Sequence, residues 1–146
     1  MPLCRKDNGG QELVEYAIVF FVLFLLILGI IEFGIIIFSQ NSVTNVAREG
    51  ARWSVVRRSS PDPSTYIPAI GGSVNETCPG THAVVVAACT KALALDPGQL
   101  AVTVSRPNAA EISVEIRYDY NPFFGLIEPF LPSGLTLGSR STMRLE

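Results

Sequence analysis

The sequence predicts an α+β fold in which one long N-terminal α-helix carries a small domain of helix and antiparallel sheet. Three observations lead there. Tyr16 to Phe38 is apolar apart from Gly29, Glu32 and Gly34, and no proline interrupts the chain between Pro2 and Pro61. Beyond Phe38 the apolar residues narrow to a single helical stripe. Finally, Leu100 to Leu145 holds three stretches in which apolar and polar residues alternate, the period of a half-buried strand. The expected order is a helix that is first transmembrane and then amphipathic, a loop, a short helix and a three-stranded antiparallel sheet.

The helix is expected over residues 11–58, with its transmembrane part at 16–38. Those 23 residues make about 35 Å of helix against a hydrocarbon core of about 30 Å. Two carboxylates, Glu12 and Glu15, stand at the brink of the apolar run, directly after the pair Gly9-Gly10. A plain anchor needs neither feature, although charges at this depth also suit the headgroup zone. Glu32 is the one ionisable residue inside the run, where an unpaired carboxylate is costly. It either meets a polar group on a neighbouring protein or lies close enough to Ser39, Gln40 and Asn41 to reach the interface.

Past the span, Val43, Val46, Ala47, Gly50, Ala51 and Ser54 recur at helical spacing and are small enough for close packing. Arg48 and Arg52 stand four apart on another face, with Glu49 in i,i+3 reach of Arg52. Arg48, Glu49 and Arg52 therefore read as a helix interaction face; nothing nearby needs a catalytic arginine.

Residues 59–146 are expected to form one extracytoplasmic head of 88 residues, a size at which a hydrophobic core alone is marginal. Ser59 to His82 is rich in Ser, Pro and Gly and reads as a long surface loop. Asn75-Glu76-Thr77 matches the N-glycosylation pattern, a tripeptide common by chance. Ala83 to Leu95 is almost wholly apolar, too short to cross a membrane and so expected as a buried helix, with Thr81 able to cap its start and Asp96-Pro97-Gly98 ending it. Strands are expected over Leu100 to Arg106, Glu111 to Tyr120 and Leu135 to Leu145. In the second, Ile112, Val114, Ile116, Tyr118 and Tyr120 point in, while Glu115, Arg117 and Asp119 point out. Pro122 to Gly134 carries Phe123, Phe124, Leu126, Ile127, Phe130 and Leu131; it either folds over the sheet as core or leaves an apolar patch on the surface.

Of the three cysteines, Cys4 precedes the helix, which leaves Cys78 and Cys89 as an even pair in the head. In an oxidising compartment a Cys78–Cys89 disulfide would stabilise by about 2–3 kcal/mol; two separate buried thiols are the alternative. With His82 as the single histidine, neither a zinc site nor a histidine-based catalytic set can be assembled around further histidines. No phosphate-cradling glycine motif precedes a helix. The net charge of −2 carries no nucleic-acid footprint. The chain is accordingly expected to be no enzyme, with no cofactor, no metal, no nucleic-acid partner and no small-molecule substrate.

Gly10-Gln11-Glu12-Leu13-Val14-Glu15-Tyr16-Ala17, the aliphatic run, Gly29 to Gly34 and Ala47 to Arg52 together resemble the N-terminal region of TadE-like minor pilins of the tight-adherence (Tad/Flp) pilus system, and Ser141 to Glu146 resembles that family's ending. The resemblance covers about a third of the chain; Ser59 to Leu100 carries no part of it. Glu12 stands where the family often has Ser. The resemblance implies a pilin-like fold and a class III leader at 1–10, cut after Gly10 by a prepilin peptidase to leave Gln11 as the new N-terminus. Glu15 would then be the +5 glutamate and set helix register, with Tyr16 completing the Glu-Tyr pair typical of such prepilins.

Implied partners are other pilins (a major Flp-type pilin and a second minor pilin), the prepilin peptidase, an inner-membrane assembly platform and membrane lipid. The implied place is a single-pass inner-membrane protein with its N-terminus cytoplasmic and its head outside, or within an extracellular pilus. A positive-inside count alone points the other way, because Arg48, Arg52, Arg57 and Arg58 follow the span while Arg5 and Lys6 precede it. The peptidase's cytoplasmic action and the cysteine pair outweigh that count. An unprocessed single-pass anchored interaction or sensor domain is the alternative function.

Overall fold

The computed structural model describes residues 9–56, 67–92, 95–123, 125 and 134–145. Its elements are α1 (Gly9–Val56), β1 (Ser73–Thr77), α2 (Ala83–Lys91), a 3-10 turn (Pro97–Gln99), β2 (Leu100–Asn108), β3 (Glu111–Tyr120) and β4 (Leu135–Arg144). The α+β class and the long leading helix are as the sequence predicts. Calls on the leader before Gly9, on Arg57 and Arg58, on the loop from Ser59 to Tyr66, on Leu93 and Ala94, on most of the apolar segment after Phe123 and on Glu146 lie outside the described residues.

The sheet has four strands, not three, in the order β1-β2-β3-β4 and antiparallel throughout. The added strand lies inside the stretch expected as loop. Ser73 to Thr77 has one aliphatic residue, Val74, and neither of its faces is buried, so hydrophobic alternation carries no trace of it. What forms it is the backbone of β2, a central strand whose free edge requires partners. Ser73 to Thr77 pairs with Ser105 to Ala101, and Gly71, Gly72 and Arg106 continue the bonding beyond one end.

β2 and β3 fill the expected inward positions. Leu100, Val102, Val104, Ile112, Val114 and Ile116 have no solvent exposure, and Tyr118 and Tyr120 are buried. Asn108 closes their hairpin, its side-chain oxygen accepting from the Ala110 amide. The opposite face of the sheet is polar. There Glu115 bridges Arg117 on its own strand and Arg140 on β4, and these guanidiniums hold its carboxyl below the usual range, Arg140 contributing most.

α2 ends at Lys91 rather than Leu95, and Thr81 does not cap it in the expected way. The N-cap residue is His82 and makes no side-chain cap bond. Instead Glu76, at the end of β1, reaches across: its carboxylate accepts from the Thr81 amide at 2.6 Å, the Thr81 hydroxyl at 2.8 Å and the His82 amide at 2.9 Å. A carboxylate at a helix N-terminus also meets the favourable end of the macrodipole. At the far end of the connection, the Asp96 side chain accepts from the Gly98 amide and starts the 3-10 turn.

α1 runs for 48 residues, about 72 Å, and covers the apolar face of the sheet over β3 and β4 while also touching α2. Its buried stripe contains Val43, Val46, Ala47, Gly50, Ala51 and Ser54, the positions that the sequence singles out, and extends downward through Ser39 and Glu32. Gly50 shows why the stripe is small: a Cβ there would lie 3.2 Å from Val114 Cγ1 and 3.6 Å from the Ala88 Cβ. Ser54 turns its hydroxyl onto the Gly50 carbonyl, so this buried polar group is satisfied within the helix.

Candidate functional site

The distinctive geometry lies on α1, where two stretches of one helix have different surroundings. From Gly10 to Ile31 every position is exposed except half-buried Leu28. Tyr16, Ile18, Val19, Phe20, Phe21 and Val22 are each more than half exposed, so no part of the described head covers them. Helical spacing puts Glu12, Glu15, Tyr16 and Val19 along one shallow groove of this surface. Among the described residues Glu12 and Glu15 have no ion-pair partner. Gly10 and Gln11 lie in the first turns of α1, which begins at Gly9, and a Cβ at Gly10 would meet nothing within 4 Å. α1 is long and apolar enough to cross a membrane.

At Glu32 the surroundings change. Its side chain is fully buried although it sits in the apolar run. Tyr120, at the end of β3, donates its hydroxyl to Glu32 Oε1 at 3.0 Å, and the Phe123 amide donates to the same oxygen at 2.9 Å. Thus the chain's own head supplies polar partners that sequence reasoning sought on a neighbouring protein or at the interface. Burial, and after it the bond to Glu32, pushes the Tyr120 hydroxyl up to about 12. Gln40 makes a second tie two turns on, donating to the Gly138 carbonyl of β4 at 3.1 Å. Glu32 and Gln40 therefore tie α1 to the end of β3 and to β4.

Farther along, Arg48, Glu49 and Arg52 come together with Asn45, Lys91 and Met143 around a groove between α1, α2 and β4. Arg52 grips Glu49 through two bonds of 3.0 and 2.7 Å, which hold the Glu49 carboxyl below its usual range and the guanidinium above its own. Arg48 takes no part in that pair, and Lys91 adds a further positive charge at the groove. As an exposed i,i+3 pair, Glu49–Arg52 contributes little to stability.

Cys78 and Cys89 form a disulfide, with Cα atoms 5.7 Å apart, that ties the end of β1 to α2. The same corner holds His82, whose ring nitrogens are buried without a hydrogen-bond partner among the described residues, and burial pushes its pKa down. Among the described residues no group of three His, Cys, Asp or Glu side chains is arranged to hold a metal. Sequence reasoning named Gly10, Gln11, Glu15, Tyr16, Glu32, Arg48, Glu49, Arg52, Cys78 and Cys89. The structure places Arg48, Glu49 and Arg52 around one groove and bonds Cys78 to Cys89, while no part of the described head covers the first four. Tyr120, Gln40 and Glu76 were missed as partners, since each acts through a contact distant in sequence or through an edge strand with no apolar signal.

The bare and clad stretches of α1 coincide with one finding from known families: a family model described as TadE-like protein matches residues 10–52. Residues 10–52, 43 of the 146, are thus similar to TadE-like proteins. The match begins at Gly10, crosses the bare stretch and the Glu32 junction, and ends at Arg52, so it covers the helix and none of the sheet. No curated protein and no solved structure matches the chain. The match likens the helix, and not the head, to TadE-like proteins, and that helix is long and apolar enough to span a membrane.

Proposed function

We propose that the chain is a minor pilin, or pseudopilin, that takes part in assembling a Tad-type pilus used for adhesion or secretion. It is inserted with its N-terminus in the cytoplasm and its head outside, is cut after Gly10 by a prepilin peptidase, and leaves lipid for a bundle of like helices. The observation that carries this reading is the bare stretch of α1, apolar on all sides and uncovered by its own described head. Such a surface is stable only in lipid or among other apolar helices. Transfer between those two environments costs little hydrophobic free energy, because both are dry.

In either environment Glu15 needs a cation or a donor. Within α1 the first cationic side chain is Arg48, 33 residues and about 50 Å away, so a partner must come from elsewhere. The α-amino group freed at Gln11 of a neighbouring subunit meets the requirement and would set register. The major Flp-type pilin, a second minor pilin and the inner-membrane assembly platform are the partners this mechanism calls for. The groove at Arg48, Glu49 and Arg52 lies on the clad part of the helix, where it can meet a neighbouring head.

The test is recovery of the chain in filaments sheared from cells that make the whole pilus system. The chain is expected in that fraction, and Glu15→Gln is expected to remove it while the membrane-bound pool persists. An unprocessed anchored interaction domain would stay entirely with the membranes, whichever residue stands at position 15.

A further inference from the structure

The geometry points to a second contact with lipid, in which the base of the head rests in the interfacial zone of the bilayer before the subunit leaves it. This rests on the reading that the bare stretch of α1 spans the membrane. Leu13 to Ile31, the open surface below the described head and apolar apart from Glu15 and Gly29, is about 28 Å long, close to the hydrocarbon thickness of about 30 Å. The span so defined lies lower on the helix than residues 16–38, because the head occupies one side of α1 from Glu32 upward. Glu32 marks the boundary: a carboxylate there is held by Tyr120 and the Phe123 amide, so these parts of the head stand where the hydrocarbon ends.

At this same level the molecule keeps large apolar side chains in the open. Phe33 is 62 % exposed, Ile37 47 %, Phe38 55 % and Phe123 77 %. Phe33 to Phe38 climbs about 8 Å along the axis, comparable with the headgroup layer, which is roughly 5–7 Å deep on each side. Phe33, Ile37 and Phe38 on the flanks of α1, with Phe123 beside Glu32, thus extend exposed apolar surface above the span to the level of Ser39. In water they would form an exposed apolar collar; in the interfacial zone they are buried at the headgroup–acyl boundary, as the apolar face of an interfacial helix is. Lipid is the occupant that this continuity selects.

Depth-resolved fluorescence quenching tests the inference on the full chain in phosphatidylcholine vesicles, with bromine placed either near the headgroups or deep in the acyl chains. The chain's single tryptophan, Trp53, lies about 30 Å up the helix from Glu32 and reports on the region above the membrane. In a Trp53→Phe background, Phe24→Trp reports on mid-span, and Phe123→Trp and Phe38→Trp report on the base of the head. The expected result is that Phe24→Trp loses most of its emission to deep bromine. Phe123→Trp and Phe38→Trp should lose most of theirs to shallow bromine, and Trp53 in the unchanged chain should lose none to either. Quenching of Phe24→Trp without quenching of Phe123→Trp or Phe38→Trp would overturn the inference and leave the spanning helix standing. An unquenched Phe24→Trp would remove the spanning reading, and the inference with it. Phe38 lies on the open flank of α1, so its variant keeps the test decisive if Phe123→Trp disturbs the Glu32 junction.

Discussion

α1 is one continuous helix, but its lower and upper stretches do different jobs. From Tyr16 to Ile31 the side chains are mostly large and apolar, and open except at half-buried Leu28; from Glu32 to Val56 one stripe is buried and built largely of Val, Ala, Gly and Ser. Backbone geometry is shared, so helix propensity explains neither surface. The distribution of side chains around the axis does. A helix apolar all round demands an apolar environment that the described head does not provide, whereas a helix with a narrow stripe of small residues can let a sheet approach closely. Glu32 stands where one regime gives way to the other.

The largest effect that would sharpen this contrast comes from a matched pair of glycines. Gly50→Leu must find room where even a Cβ sits 3.2 Å from Val114, and is expected to destabilise the head by about 3 kcal/mol. Gly29→Leu, on the bare stretch, meets nothing within 4 Å of its Cβ and is expected to change head stability by no more than about 0.5 kcal/mol. Denaturant unfolding in detergent, followed by Trp53 fluorescence, compares the two. Equal losses would break the distinction between the stretches.

The junction comes next in size. Glu32→Ala removes the acceptor shared by the Tyr120 hydroxyl and the Phe123 amide, and is expected to cost the head about 1–3 kcal/mol. Glu32→Gln keeps an acceptor oxygen and should cost less. Glu15→Ala, on the bare stretch, should leave the same unfolding curve unchanged. A Glu32→Ala curve that also matches the unaltered chain would mean that the head does not depend on this contact.

The smallest expected effect is confined to the head. Glu76 is held below the usual carboxylate range by the His82 amide first, and then by the Thr81 hydroxyl and amide. Because its pKa is lowered on folding, its contribution is present above the ordinary value of 4.5 and is lost as pH falls through the folded value. Protection of the first-turn amides of α2, taken relative to their intrinsic exchange rate at each pH, should therefore fall on acidification below pH 4.5, and Glu76→Gln should lower it already at neutral pH. Exchange in the bare stretch of α1 should not respond to that substitution.

Much of this architecture is legible in the sequence because it is written in periodicity. The stripe from Val43 to Ser54, the inward residues of β2 and β3, and the Cys78–Cys89 pair were all readable one segment at a time. The features that were not readable depend on contacts between segments. β1 has polar residues on both faces and exists because β2 needs a partner. The start of α2 is capped by Glu76 from another element, so the local cap expected at Thr81 misleads. The Glu32 junction joins residues 88 positions apart, and nothing near Glu32 announces that Tyr120 will arrive there. By contrast the roles given to Gly10, Gln11, Glu15 and Tyr16 come from resemblance to a family, since one helix seen alone offers them no partner.

The most direct measurement is the intact mass and N-terminal residue of the chain recovered from cells that make its prepilin peptidase. A chain beginning at Gln11 is predicted, with the bare stretch of α1 freed of what precedes it and a new α-amino group placed to pair with Glu15 of a neighbour. A chain still beginning near Met1 under those conditions would contradict processing, and with it the assignment of Glu15 as the residue that sets register in a filament.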